Sequence, residues 1–252
     1  MDKQTILIVD DNEDLVSFLK KDLGKTYEIL TAINGEEGIE IIKENIVHLI
    51  ISDVMMPVMD GIEFCGRIKT DVQSSHIPVI LLTAKNTLQA KIEGLTNGAD
   101  AYIEKPFSIE HLDAQIYSLL QNRLRVKEHF TRFPLTQFKS IAVTKMDEQF
   151  LETLQRLIED QMAEYDLDID FLAKGLNMSR PALYRKIKSI SDLSPYEMIN
   201  LARLKKAAEL INQSKYTLSE ISAIVGYASL AHFGRNFKKQ FGINPSEYVK
   251  NR

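Results

Sequence analysis

The stretch that decides the fold is Ile6-Leu7-Ile8-Val9-Asp10-Asp11, four apolar residues that run directly into two acids. Short β-branched runs of this kind are typical of buried strands in a parallel sheet. Three later runs also close on a polar residue: Leu49–Ser52 before Asp53, Val79–Leu82 before Thr83, and Ala101–Glu104 before Lys105. The first half of the chain therefore places polar side chains at the ends of its predicted strands.

Strands and helices alternate five times in this half. The predicted strands are Thr5–Val9, Tyr27–Ala32, Leu49–Ser52, Val79–Thr83 and Ala101–Glu104. The predicted helices are Glu13–Leu23, Glu36–Asn45, Ile62–Thr70, Leu88–Thr96 and Ile109–Arg123. This alternation predicts a doubly wound parallel sheet, for which the common five-strand order is 2-1-3-4-5. Ligands bind at the switch point between strands 1 and 3, where Asp10, Asp11 and Asp53 are expected to meet.

The residues gathered at this edge suit a hard cation and a phosphoryl group. Mg²⁺ prefers carboxylate oxygens and commonly bridges protein acids to phosphate. A carboxylate beside it can attack a phosphoryl group and form an aspartyl-phosphate. Thr83 could donate a hydrogen bond to a phosphoryl oxygen, and Lys105 could supply a balancing positive charge. Taken alone, Asp10-Asp11 could equally be a loop or a helix cap.

Composition limits the classes of protein that the chain can belong to. A hydrophobic content of 44% and a charged content of 26% are those of a globular protein. We find no apolar run long enough for a membrane span and no signal peptide at Met1, and expect no membrane contact by this segment. Cys65 is the single cysteine and is expected to be a small buried hydrophobe, which excludes a disulfide framework and favours a cytoplasmic location.

The charge is distributed unevenly along the chain. The net charge of −4 divides into −10 for residues 1–122 and +3 for each of residues 123–148 and 149–252. Periodicity weakens in residues 123–148, although Phe130, Phe133, Leu135 and Phe138 suggest that this stretch packs somewhere. We therefore expect three parts: a domain at 1–122, a linker at 123–148 and a second domain at 149–252. An acidic front and a more basic back indicate different partners.

The second domain has a purely helical pattern. The predicted helices are 148–165, 169–176, 180–190, 196–213, 218–225 and 230–241. Two pairs of them have the shape of a helix-turn-helix. In the first pair Asn177 lies in the turn, Ser179 caps the second helix, and Leu183 and Ile187 form its core stripe. The residues off that stripe are expected to face the major groove or its phosphates: Arg180, Tyr184, Arg185 and Lys188.

The second pair opens its turn at Gly226. Ile221, Ile224 and Val225 form one expected apolar stripe, and Phe233, Phe237 and Phe241 form the other. Gly234, inside the second helix, permits either a close backbone approach to DNA or a tolerated surface glycine. The expected DNA contacts lie outside the stripes: Arg235, Lys238 and Lys239.

Residues 4–122 resemble the receiver domain of bacterial response regulators, a flavodoxin-like fold. The matching motifs are Ile8–Asn12, Ser52–Pro57, Met59–Gly61, Thr83-Ala84 and Lys105–Phe107. The resemblance implies that Asp53 is the phosphoacceptor, that Asp10, Asp11, Asp53 and the main-chain carbonyl of Met55 bind Mg²⁺, and that Thr83 and Lys105 sense the phosphoryl group. It also implies that Tyr102 is a switch aromatic, although Tyr102 could instead be an exposed edge-strand residue. Met55 and Lys85 flank the acceptor at positions that tune phosphoryl lifetime, and Lys105-Pro106 is often cis in this family.

Residues 150–250 resemble the AraC-type DNA-binding domain. The motifs Leu183–Lys188, Leu193–Pro195, Arg203–Ala207 and Phe237–Tyr248 carry this likeness. In that family two recognition helices enter successive major grooves of double-stranded DNA. Leu230-Ala231 depart from the pattern, since the family often has polar residues there, so the second helix is expected to read methyl groups or to grip phosphate.

The two resemblances together imply a two-component response regulator. We expect a histidine kinase to phosphorylate Asp53, and phosphorylation to drive homodimerisation and sequence-specific DNA binding, with the protein acting as an activator that can engage RNA polymerase. The order of domains also resembles the end of hybrid two-component proteins of Bacteroidetes, so the kinase could be separate or in the same polypeptide. The competing hypotheses are an aspartate-nucleophile phosphatase, which would usually carry its nucleophile after strand 1, and a constitutive DNA-binding protein with an inert receiver.

Overall fold

The computed structural model describes residues 3–84, 98–132, 137–165 and 167–250. The chain divides into two compact units, Met1–Val126 and Lys127–Arg252. The first unit holds the parallel sheet, and the described part of the second unit is helical. The predicted helix Leu88–Thr96, together with Lys85, lies outside the described residues.

The sheet has five parallel strands in the order β2-β1-β3-β4-β5, as predicted. The strands are β1 (Thr5–Val9), β2 (Glu28–Ala32), β3 (Leu49–Asp53), β4 (Val79–Thr83) and β5 (Ala101–Glu104). Val9 of β1 pairs with Ser52 of β3, and Thr83 of β4 pairs with Glu104 of β5. This register brings the residues at or just after these strand ends, Asp10, Asp53, Thr83 and Lys105, to one edge of the sheet.

Four described helices accompany the sheet: α1 (Glu13–Leu23), α2 (Gly35–Glu44), α3 (Gly61–Thr70) and α4 (Ile109–Arg132). The first three begin where the side chain of Asn12, Asn34 or Asp60 accepts a hydrogen bond from the backbone N–H three residues on. These caps follow the strand ends closely and fix the loops that carry the acids.

The sheet has an apolar core on each face, because alternate residues of a strand point to opposite sides. Ile6 and Ile8 pack in the core that includes residues of α1 and α4, whereas Leu7 and Val9 pack in the core that includes Phe64 of α3. Cys65 lies fully buried in the second core, as expected. Burial raises the pKa of the Cys65 thiol to about 11.

The second unit contains a short 3-10 helix at Phe138–Ile141 and seven α-helices after α4. These are α5 (Lys145–Asp160), α6 (Ile169–Gly175), α7 (Arg180–Ser191), α8 (Pro195–Gln213), α9 (Leu218–Ile224), α10 (Leu230–Phe241) and α11 (Pro245–Lys250). Helices α6 and α7 form one helix-turn-helix, and α9 and α10 form the other. Long α8 lies between them in sequence and is mostly buried along one side.

Several boundaries differ from the sequence prediction. α4 continues nine residues past the expected end to Arg132, and α5 begins at Lys145 because Thr144 and Asp147 form a capping box there. The 3-10 helix and α11 were not predicted. The division at 1–122, 123–148 and 149–252 stays a prediction. Within the described ranges, no helix combines the length and the apolar character that crossing a bilayer requires.

Candidate functional site

Three carboxylates converge at the switch-point edge of the sheet. Asp10, Asp11 and Asp53 each offer a ligand oxygen, and these oxygens lie within 4.8 Å of one another. Asp10 and Asp53 are only 2% and 8% exposed, whereas Asp11 is exposed. Buried carboxylates so close together repel one another unless positive charge lies among them. The cluster therefore has the oxygen donors and the negative charge that a hard divalent cation requires.

Lys105 brings one positive charge into this cluster. Its Nζ lies 3.0 Å from Asp10 Oδ2 and 2.8 Å from Asp53 Oδ1. Burial lowers the pKa of Lys105, but its hydrogen bonds to Asp53 and Asp10 outweigh burial and raise that pKa overall. The Lys105 backbone N–H donates to the carbonyl of Thr83, and the Lys105–Pro106 peptide bond is cis. Lys105 thus stays charged and bridges the ends of β1 and β3.

Main-chain groups hold the two buried acids in place. The Asn12 N–H donates to Asp10 Oδ1 at 2.9 Å, and the Met55 N–H donates to Asp53 Oδ2 at 3.2 Å. Gly61, the first residue of α3, comes so close to the end of β3 that a Cβ there would lie 2.0 Å from the Asp53 carbonyl oxygen. Only glycine permits this approach. This role of Gly61 was not predicted, although the Asp60-Gly61 pair signals a turn at this point.

The remaining predicted pocket residues lie on β4, β5 and the loop after β3. Thr83 is buried at the end of β4, and Met55 is 72% exposed beside the acceptor. Tyr102 is partly buried and packs against the second core. The Tyr102 hydroxyl is buried without a hydrogen-bond partner among the described residues. The alternative that Tyr102 is an exposed aromatic is therefore wrong.

The first helix-turn-helix has the predicted core stripe. Leu183 and Ile187 are fully buried, and the Ser179 hydroxyl accepts a hydrogen bond from the Ala182 N–H. Asn177 adopts a φ of 53° in the turn, the left-handed conformation that asparagine tolerates. The predicted DNA-contacting residues of this helix are accessible: Arg180 and Lys188 are exposed, and Tyr184 and Arg185 are half-buried. The Arg180 guanidinium lies 3.4 Å from Asp170 Oδ2.

The second helix-turn-helix has an aromatic core. Phe233 and Phe237 are fully buried, and Gly226 adopts a φ of 76° in the turn. Ile224 is 39% exposed, so its place in the predicted apolar stripe is wrong. α9 is a single short helix that buries Ile221 and ends at Ile224, which leaves the Ile224 side chain at the outer edge. The predicted DNA contacts of α10 are all exposed: Arg235, Lys238 and Lys239.

Comparison with known proteins follows the same division of the chain. Residues 6–117 match the response regulator receiver domain, and residues 172–251 match a helix-turn-helix domain. The chain is 30% identical over 188 residues to the probable transcriptional regulator ycf27 of Guillardia theta, with 73% of each protein covered. The chain belongs to the response regulators. Its receiver and AraC-type domains are the domain types of a two-component transcriptional regulator.

Some relatives of this response regulator are much longer. Histidine kinase P4 of Formosa agariphila is 41% identical over 247 residues, which are 98% of this chain and 18% of that kinase. Hybrid signal transduction histidine kinase D of Dictyostelium discoideum is 40% identical over 118 residues, which are 47% of this chain and 8% of that protein. The chain thus spans less than a fifth of the length of either relative.

Solved receiver domains are also similar to part of this response regulator. One is the signal receiver domain of a signal transduction histidine kinase from Syntrophus aciditrophicus. It is 36% identical, covers 47% of this chain and 91% of its own, and has a TM-score of 0.46.

The environments of two lysines, Lys186 and the half-buried Lys205, were not predicted from the sequence. Lys186, which lies within the recognition motif of α7, is 1% exposed and pairs with Asp147. Lys205 of α8 lies against the rings of Phe130 and Phe138. A signal for Lys186 exists in the sequence, because Leu183, Lys186, Ile187 and Ile190 follow the i, i+3, i+4, i+7 spacing of one buried helix face.

Proposed function

We propose that a histidine kinase phosphorylates Asp53 and that the phosphoryl group controls dimerisation and sequence-specific DNA binding by this response regulator, which acts as an activator. The observation that carries the proposal is the Lys105 ammonium held between Asp10 and Asp53 at 3.0 and 2.8 Å. A phosphoryl group on Asp53 competes for that ammonium. Phosphorylation therefore changes the ion pairs that Lys105 forms with Asp10 and Asp53, which is the kind of local charge change that biases a two-state element.

The acceptor chemistry falls to the Asp53 carboxylate. One carboxylate oxygen attacks the phosphorus of a phosphohistidine, a P–O bond forms, the P–N bond breaks, and the imidazole takes a proton from water. The Met55 N–H, already bonded to Asp53 Oδ2, orients the carboxylate. Thr83 and Lys105 bind the phosphoryl oxygens. Tyr102 changes position when Thr83 and Lys105 move toward these oxygens. The buried Tyr102 hydroxyl, which has no hydrogen-bond partner among the described residues, supports that role, because such a group gains free energy by moving to a partner.

The acidic cluster fits Mg²⁺. Three carboxylate oxygens within 4.8 Å of one another are a hard donor set, and a fourth ligand is proposed in the main-chain carbonyl of Met55. A bound Mg²⁺ supplies positive charge that offsets the repulsion between these acids and the incoming phosphoryl oxygens. Asp10, Asp11 and Asp53 are the residues that hold it.

The phosphoryl group on Asp53 is expected to be long-lived. Met55 lies exposed next to the acceptor and has no side-chain donor to orient an attacking water. We expect phosphorylated protein, isolated from its kinase, to lose the phosphoryl group over minutes to hours, measured by loss of acid-precipitable label. A half-life of seconds contradicts this expectation.

The DNA contacts are proposed to divide between the two recognition helices. Arg185 of α7 reads base edges, whereas Lys238 of α10 contacts phosphate. Arg185→Ala is then expected to relax base preference, and Lys238→Ala to weaken binding to every sequence and to lower its salt dependence. Binding isotherms on specific and scrambled duplexes at several salt concentrations measure both effects. Equal losses on all sequences for both variants contradict the division.

Dimerisation is proposed to use the receiver face built from residues 87–123, of which residues 98–123 are described. Two DNA-binding domains on adjacent sites then gain affinity through effective concentration, without new base contacts. The kinase partner is either a separate protein or part of the same polypeptide, a proposal that the likeness to histidine kinase P4 supports. An activator at such a site is positioned to engage RNA polymerase.

One experiment tests the switch directly. Molar mass and affinity for genomic DNA fragments are measured with and without beryllofluoride, an acyl-phosphate mimic, for the wild type, Asp53→Asn and the control Asp22→Asn, whose side chain forms a surface ion pair with Lys25. We expect beryllofluoride to increase both quantities for the wild type and for Asp22→Asn, and to leave Asp53→Asn unchanged. The proposal fails if the wild type does not respond, and turnover of a phosphomonoester favours a phosphatase instead.

A further inference from the structure

The first recognition helix, α7, is held by a fully buried ion pair. Lys186 Nζ lies 2.5 Å from Asp147 Oδ1, and both side chains are 0% exposed. The same ammonium lies 5.7 Å from the centre of the Phe150 ring. An ion pair in such surroundings is strongly directional, since a small displacement of either partner leaves a charge unsolvated.

Asp147 is itself fixed by the start of α5. Its second carboxylate oxygen, Oδ2, accepts hydrogen bonds from the N–H groups of Val143 at 3.3 Å and Thr144 at 3.2 Å. The Thr144 hydroxyl in turn accepts from the Asp147 N–H and completes a capping box. One carboxylate therefore ties the first turn of α5 to the middle of α7.

The carboxyl end of α7 is held by a second ion pair. Lys127 Nζ lies 3.0 Å from Oδ1 of Asp192, the residue that caps α7 with a φ of 61°. Lys188 also reaches this cap, since its Nζ donates to the Asp192 carbonyl at 2.6 Å. Lys127 is 14% exposed, so this pair is partly shielded from water.

The helix that follows α7 is held by aromatic rings from the same stretch of chain. Lys205 Nζ of α8 lies 4.5 Å from the ring centre of Phe130 and 4.8 Å from that of Phe138. The two rings meet edge to face with their centres 5.7 Å apart, and both residues are buried. Cation–π contacts of this length add to the packing of α8.

We infer that Asp147 and Lys127 are positioning residues that set the orientation of the first recognition helix on DNA, although neither is a DNA contact. Lys127, Phe130, Phe138 and Asp147 all lie between the two matched regions, residues 6–117 and 172–251. The second recognition helix has the uncharged Asn236 at the place that Lys186 occupies in α7. The stretch between the domains thus acts on one of the two DNA-reading helices.

The inference rests on the proposed reading of DNA by α7 and does not require phosphorylation. Removing both charges with the double variant Asp147→Leu/Lys186→Met keeps the site filled with apolar side chains, which usually preserves stability. The double variant loses the directional pair and the capping carboxylate, so α7 becomes free to settle in more than one orientation.

The test is selection of bound duplexes from a random DNA library by the full chain, with thermal unfolding in parallel. For the double variant we expect base preference to fall on the order of 10-fold in one half of the selected site and to persist in the other half. A photo-reactive residue at exposed position 188 assigns the affected half-site to α7. The matched control is Glu209→Gln/Lys206→Met, which removes an exposed ion pair of α8 and is expected to change neither half.

Two further variants keep the inference decidable. Asp147→Glu retains the negative charge but displaces the carboxylate by one methylene group in a fully buried site, so it is expected to lower the preference in the same half-site as the double variant. If the double variant does not fold, Asp192→Asn tests the inference instead. It removes the ion pair with Lys127 at a position where asparagine tolerates the left-handed backbone. We expect it to lower base preference in the same half-site about 3-fold, which is part of the effect of one base contact. Unchanged preference, or equal losses in both halves, overturns the inference, whereas a wild type without any preferred sequence overturns the proposed function as well.

Discussion

The two helix-turn-helix units of this response regulator share one architecture and differ in what anchors the second helix. α7 is anchored by the buried Lys186–Asp147 ion pair, whereas α10 is anchored by aromatic rings that pack mostly edge to face. In the second helix-turn-helix, the centres of neighbouring rings lie 4.3 to 5.5 Å apart in a continuous series. The rings of that series belong to Tyr227, Phe233, Phe237, Phe241 and Tyr248.

The difference separates stability from orientation. Aromatic burial contributes free energy in proportion to the area buried, and a small shift of a ring leaves no charge unsolvated. A buried ion pair contributes little net free energy, but it penalises every geometry except the one in which both charges are satisfied. The packing of the second helix-turn-helix thus favours stability, whereas the ion pair of the first helix-turn-helix favours one orientation of α7.

The largest expected effect on stability is the loss of an aromatic ring from the second helix-turn-helix. Phe237→Ala removes a fully buried side chain that contacts three other rings, and we expect a loss of about 4 kcal/mol in the free energy of unfolding. Urea unfolding followed by circular dichroism measures it. Leu230→Ala, at a 48% exposed position of the same helix, is the control and is expected to change stability by less than about 0.5 kcal/mol.

Breaking the ion pair of the first helix-turn-helix is expected to lower the free energy of unfolding by less than the loss of that ring. Lys186→Met leaves the Asp147 carboxylate buried with its backbone hydrogen bonds alone, which we expect to cost about 3 kcal/mol. The double variant Asp147→Leu/Lys186→Met should recover most of that loss in the same urea experiment. If the double variant is as unstable as Lys186→Met, the ion pair contributes to stability, and the two helix-turn-helices no longer differ in the way described above.

The two turns provide a smaller contrast. Gly226→Ala places a Cβ 2.2 Å from the Met162 carbonyl oxygen at a φ of 76°, and we expect a loss of about 2 kcal/mol. Asn177→Ala at a φ of 53° is expected to lose only about 1 kcal/mol, since its cost is the left-handed conformation alone. Thermal unfolding of both variants compares them, and equal losses would mean that the contact with Met162 relaxes freely.

The smallest expected effect is a gain in stability. Gly234→Ala adds a methyl group that meets no described atom within 4 Å, so we expect about 1 kcal/mol of added stability from helix propensity. Measuring DNA affinity on the same sample chooses between the two roles considered for this glycine. Unchanged affinity indicates a tolerated surface residue, and a clear loss indicates close approach of the backbone to DNA.

The sequence was most informative where one residue pattern had one structural solution. β1, β4 and β5 have the predicted bounds because short β-branched runs with helices between them leave only a parallel sheet. The meeting of Asp10, Asp11 and Asp53 followed from strand order alone. Their contacts with Lys105 could be expected as chemistry, but not as distances, because they depend on the loop after β5.

The sequence was least informative about charged residues that the fold buries. Lys186 and Asp147 are 39 residues apart, and no local pattern pairs them. Phe130 and Phe138 were expected to pack, and both are buried, but their contact with Lys205 of α8 was not predicted. Phe133 and Leu135, expected to pack with them, lie outside the described residues.

The burial of Cys65 also has a practical consequence. A thiol that is 0% exposed, with its pKa raised to about 11, reacts very slowly with maleimides near neutral pH. Since Cys65 is the single cysteine, a pair of cysteines introduced at exposed positions such as Lys188 and Lys239 can accept spin labels with no further engineering. The distance between the two DNA-reading helices then becomes a directly measurable distribution, whose width reports how firmly each helix is held.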